Sequence, residues 1–142
     1  MKLRPYSATA LALGGAILMA LGLYFAFLRP PLLPEDARFM GTSLAQVQAT
    51  LPGLPGWLRQ VFRVLGGYIF ATGLLTIYLA ATAFRARAGG VAGVLVLAGL
   101  TSIGLMAVVN FSIGSDFKWL ILSFGLPWPV ALALYWVEGR DA

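Results

Sequence analysis

The sequence predicts an all-α integral membrane protein: a four-helix bundle with an amphipathic helix in the loop between its first and second spans. Three observations predict it. Hydrophobic residues make up 60% of the 142 and charged residues 11%, with a mean hydropathy of +0.87, far too apolar for an ordinary soluble surface. Four apolar segments are each long enough to cross a hydrocarbon layer of roughly 30 Å. Between the first two lies Arg29 to Arg63, the one long run that is not continuously apolar. It holds six of the fifteen charged residues: Arg29, Glu35, Asp36, Arg38, Arg59 and Arg63.

The first span is expected at 8–28, a run without a charge that follows Lys2 and Arg4. A cleaved signal peptide is the rival reading. The apolar run is longer than a usual signal core and no A-x-A site follows it, so a retained helix is favoured. Ala8, Ala12, Ala16 and Ala20 recur at every fourth position and predict a smooth strip for close helix contact. Arg29-Pro30-Pro31 stops the helix, because proline lacks the backbone donor and restricts the residue before it.

Pro34-Glu35-Asp36 has the form of a helix start, with acids at the positive end of the dipole. Met40, Leu44, Val47 and Leu51 then fall on one helical face, predicting an amphipathic helix over 35–51 that is too short and polar to span. Pro52 to Gly56 reads as a hinge. The second span is placed at 58–84, with Trp57 as an interfacial anchor and Gly66, Gly67 and Gly73 as packing positions. The third, at 91–111, follows a turn at Ala88-Gly89-Gly90. Gly89 and Gly93 have GxxxG spacing, and Ser102, Met106 and Asn110 share a face. The fourth, at 119–137, contains Pro127-Trp128-Pro129, which predicts a kink or local unwinding with Trp128 filling the gap or lining a cavity.

Four spans put both termini on one side with the Arg85/Arg87 loop. Cations divide five against five: Lys2, Arg4, Arg85, Arg87 and Arg140 on that side, Arg29, Arg38, Arg59, Arg63 and Lys118 on the other. Short loops weigh most, which favours cytoplasmic termini, in a bacterial cytoplasmic membrane. The net charge of +5 suits an anionic bilayer surface, and no basic stripe with interleaved aromatics indicates nucleic acid.

With no Cys and no His, thiol chemistry and the usual zinc and haem ligation are excluded. No catalytic residue or metal site is predicted, since no nucleophile–base pair is identifiable and Glu35-Asp36 lacks further ligands. The first and third loops share one face, so Arg63, Asp116, Glu35, Asp36, Arg38 and Asn110 form the candidate cluster. Arg63, about one turn inside the span, is costly there unless paired, with Asp116, Glu35 or Asp36 as partners. The cluster reads either as a site for an anion, lipid headgroup or quinone, or as an ion pair pinning the loop.

Arg63-Val64-Leu65-Gly66-Gly67-Tyr68, followed by Ala71-Thr72-Gly73-Leu74, resembles the arginine-then-double-glycine helix of small DoxX-like bacterial membrane proteins. Leu23 to Pro34, a span breaking into prolines, is similar too. The resemblance covers about half the chain. Most of that group has no established activity, and some relatives are associated with quinone-linked oxidoreductase complexes, so it implies at most a membrane-subunit role. The expected function is a non-catalytic accessory or scaffold subunit, partnered by a larger membrane protein or a second copy. The alternative is a binding or transport protein for a small amphiphile, lipid or quinone, held near Arg63 under the loop helix.

Overall fold

The computed structural model describes residues 6–140, without the side chain of Arg140; Lys2 and Arg4, counted in the charge tally, lie outside the described residues. Among the described residues every regular element is helical. The spans are α1 (Tyr6–Leu28), α4 (Leu54–Phe84), α5 (Val91–Ser112) and a fourth over Lys118–Gly139. That fourth span is interrupted at Leu126 into α6 (Lys118–Gly125) and α7 (Pro127–Arg140), at the Pro127/Pro129 position. The first loop carries α2 (Pro34–Phe39) and α3 (Leu44–Thr50). Four helices of this length and apolarity make the chain an integral membrane protein.

The single loop helix expected over 35–51 is instead two short ones. Gly41 takes φ +71°, which no α-helix accommodates, and the Ser43 hydroxyl accepts from Gln46 N–H to cap a new start. The break scatters the expected apolar face: Val47 is buried, whereas Met40 is 51% and Leu51 55% exposed. The second span starts at Leu54, four residues before the expected point, with Pro55 in its first turn.

Helix association in lipid depends on how closely backbones approach. The closest contact joins α1 to α4 through four glycines. A Cβ added at Gly22 would lie 2.5 Å from Phe70 N and 2.7 Å from Gly66 O; one at Gly15 would lie 2.7 Å from Gly73 O. Gly66 and Gly73 meet α1 equally closely. Both pairs are seven residues apart and run in opposite order, as antiparallel neighbours must. The alanine strip is not this surface, because Ala16 and Ala20 are exposed. Gly67, Gly89 and Gly93 have nothing within 4 Å of an added Cβ.

On its other side α1 packs on α7, and α7 holds α5 through Trp128. The indole is buried between Gly14 and Gly99, where a Cβ on Gly99 would sit 2.5 Å from Cδ1, and Nε1 donates to Leu95 O at 2.9 Å. The helices therefore run α4, α1, α7, α5 in space. Contacts between α4 and α5 gather at their connecting turn, where the last turn of α4 meets the first turns of α5. That end is tied by Glu138, which accepts from Ser7 N at 3.0 Å and Ser7 Oγ at 2.5 Å and faces Arg87 Nη2 at 3.8 Å. Arg87 also donates to Tyr135 O at 2.9 Å and lies over the Tyr135 ring, which stacks on Phe84. The start of α1, the end of α7 and the Arg85/Arg87 loop thus meet at one end of the bundle.

Gly22→Ala is expected to lower stability by about 1–3 kcal/mol, because its methyl group meets backbone that cannot move aside. Gly67→Ala, facing open space, should stay within about 0.5 kcal/mol of the parent or gain slightly. Thermal unfolding of the two variants in the same detergent checks the contrast.

Candidate functional site

Because α5 leans away from α4 beyond their turn, the half of the bundle nearer the first and third loops is hollow. A cavity of about 990 Å³ lies there, walled by all four spans. Its walls are apolar over most of their length: Leu18 and Leu21 from α1, Leu65 and Ile69 from α4, Leu105 from α5, Phe124 from α6. From Ile17 to Arg29, just past the end of α1, this wall rises through twelve steps of 1.5 Å, about 18 Å. One leaflet of hydrocarbon is about 15 Å deep, so the cavity is one leaflet deep.

Two widened turns shape it. The end of α1, Tyr24–Leu28, and the middle of α5, Leu100–Gly104, are π-helical, and they supply Tyr24, Phe25, Thr101 and Ser102 to the wall. Such turns recur at functional positions. Thr101 and Ser102 return their hydroxyls to Leu97 O and Ala98 O, and Asn110 donates to Met106 O at 2.9 Å. Three of the polar groups on the α5 wall are therefore satisfied by their own helix.

Charge is confined to the loop end. Arg29 stays helical in φ but turns extended in ψ (126°), as a residue before proline does, and its side chain folds back over the α1 terminus. Its guanidinium lies 3.8 Å from the Phe62 ring centroid and 5.5 Å from that of Phe25, with Nη2 3.6 Å from Asp36 Oδ2. Asp36 Oδ2 also accepts from Leu33 N at 2.8 Å, so one carboxylate both starts α2 and anchors Arg29. Glu35, one residue earlier, turns to a different partner. It is only 3% exposed and accepts from Ser115 Oγ at 2.9 Å, and Ser115 Oγ accepts from Phe117 N. Arg38 reaches across the surface to Asp116 Oδ1 and Gly114 O, both at 3.0 Å.

The predicted cluster is therefore partly assembled and partly not. Glu35, Asp36, Arg38, Asp116 and Asn110 do converge on one end of the bundle, because the first and third loops pack together. Arg63 is not with them. It is exposed, donates to Gln60 Oε1 at 3.2 Å, and borders a separate groove of about 340 Å³ with Gly22, Phe27 and Phe70. Two causes remove it. The α4 helix has 31 residues, about 46 Å of helix against a hydrocarbon layer of roughly 30 Å, so it has turns to spare and Arg63 can lie outside the apolar layer without a buried partner. Arg63 also lies about 200° around the helix from Leu65, on the face away from the cavity.

Arg29 occupies the place expected of Arg63, and Ser115 was not anticipated. Glu35 and Asp36 do not act as a pair, and among the described residues no three metal-ligating side chains gather. The available signal for Arg29 was its position between an aromatic helix end and two prolines that send the next carboxylates back toward it. No local signal marks Ser115, whose partner is eighty residues away.

What the fold and site define is an integral membrane four-helix protein with a one-leaflet cavity charged at one end. No protein-family model, curated protein or solved structure matches the chain, so the reading of the cavity rests on its own geometry.

Ser115→Ala should cost about 1–3 kcal/mol, since it strips a buried carboxylate of its donor. Arg38→Ala should cost under about 1 kcal/mol, because that pair is 56% and 63% exposed and solvent screens it. Unfolding midpoints of both variants, measured side by side, test the ranking.

Proposed function

We propose that this protein binds a membrane amphiphile, with the apolar part between α4 and α5 and the polar part beside Arg29, Glu35 and Asp36. The observation that carries this reading is the cavity of about 990 Å³, apolar along its depth and charged at one end. Ligand pockets are typically 300–1,000 Å³, mostly apolar, with a few convergent polar groups. The depth of one leaflet matches a single chain standing parallel to the lipids. The scarcity of contacts between α4 and α5 beyond their turn supports entry from the bilayer on that side, as in a carrier or binding protein. With the termini cytoplasmic in a bacterial inner membrane, the charged end faces the outer leaflet.

An accessory role in a larger membrane complex is the second reading. Gly67 and Gly93 face outward with nothing against them, which supports a further helix docking there, and the DoxX-like resemblance supports a subunit of a quinone-linked complex.

Native mass spectrometry of the protein extracted gently from its own membranes tests both. The amphiphile reading expects one retained lipid, quinone or related molecule per chain. It should be lost in Leu65→Trp/Leu105→Trp, which fills the cleft from facing helices, and kept in Arg63→Ala, which lies outside. Equal retention in the filled variant would overturn it. A stoichiometric larger protein with an empty cleft would establish the second reading.

A further inference from the structure

The charged end of the cavity carries three ionic side chains, and they do not cancel. Arg29 and Asp36 are matched to each other, Nη2 to Oδ2 at 3.6 Å, with the guanidinium also resting on Phe62. That leaves Glu35. The residue lines the cavity and is 3% exposed, and Ser115 Oγ, a neutral donor, holds one of its carboxylate oxygens at 2.9 Å. The ion pairs among the described residues are Arg29–Asp36, Arg38–Asp116 and Arg87–Glu138, and none includes Glu35. The nearby cation Arg38 is spent on Asp116 and Gly114 O at the surface.

A carboxylate withdrawn from water without a counter-ion is costly, and a cation brought to it recovers that cost. Tyr24 and Phe117 also line this end of the cavity, and the faces of aromatic rings attract an ammonium group. Net negative charge, a buried acceptor and aromatic walls above an apolar shaft describe one ligand chemistry. Resting on the amphiphile reading above, we infer that the cavity takes an ammonium group on an apolar tail, with Glu35 as its counter-ion. An anionic headgroup is disfavoured by the same carboxylate.

The test uses the full-length protein in phosphatidylcholine nanodiscs at pH 7, with three probes of equal chain length: dodecylammonium, dodecanol and dodecyl sulfate. Binding is read by native mass spectrometry. Dodecylammonium is expected to bind at least about tenfold tighter than dodecanol, and dodecyl sulfate weakest. In Glu35→Gln, whose amide oxygen still accepts from Ser115, that preference should fall to within about twofold. Dodecanol equalling dodecylammonium in the parent protein, or a preference unchanged in Glu35→Gln, overturns the assignment and leaves the amphiphile cavity standing. Failure of all three probes overturns both. The parent comparison decides the charge preference whether or not the variant folds. Adding phosphatidylethanolamine separates the sources: its enrichment over phosphatidylcholine on the purified protein identifies an aminolipid, and equal retention beside selective dodecylammonium binding identifies a free amine.

Discussion

Everything in this molecule depends on the contact of α1 with α4 through Gly15, Gly22, Gly66 and Gly73. In a bilayer the apolar surfaces of helices gain little by leaving lipid, so association must come from backbone proximity and dispersion. Four missing side chains supply that proximity on one face of α1. The contact aligns α1 and α4 along nearly their whole length and fixes the frame to which the other spans attach. α7 takes the remaining inner face of α1, and Trp128 carries α5 out on its indole. With α5 held from that side, nothing draws it against α4 beyond the turn that joins them. The hollow is thus a product of unequal packing.

The two ends of the bundle are built to opposite plans. At the terminal end, Glu138 gathers Ser7 and Arg87, and the stacked rings of Phe84 and Tyr135 fill the space beneath. At the loop end, the same kinds of side chain are arranged around a space. Arg29 lies flat on aromatic rings, Asp36 is divided between a helix start and the guanidinium, and Glu35 is left facing inward. Short helices with exposed apolar tips, α2 and α3, roof this end, tied down by Ser115 and by the surface pair of Arg38 and Asp116.

The architecture was legible in the sequence because lipid imposes long, uniform apolar runs with clear stops. The spans, the Pro127/Pro129 interruption and the shared face of the first and third loops all follow from length, proline and charge position. Side-chain partners were harder to read. Arg63 drew attention by standing inside an apolar segment, but its segment overshoots the membrane and its face is turned away. Of the glycines, Gly66 and Gly73 are close-packed while Gly67, Gly89 and Gly93 are not. A GxxxG count cannot separate them, because the distinction rests on the rotational setting of α4 and on which helix becomes its neighbour. The loop helix failed at one residue, Gly41, whose positive φ is settled by where the chain must go next.

The widened turn in α5 has a consequence for how this span reads as a code. Val91, Leu95, Gly99, Ile103 and Ala107 are all buried, at uniform steps of four. In a regular α-helix such steps advance the stripe by about 40° each, or about 160° over the set, carrying its end to the far side. The extra residue in the turn at Leu100–Gly104 takes back about 100°, so the stripe stays in phase with its neighbours. The span is therefore keyed to its length in residues more strictly than to their identities. Deleting one residue from that turn would rotate Met106, Asn110 and Ile113 off the cavity wall together, leaving the span no less hydrophobic and no less helical.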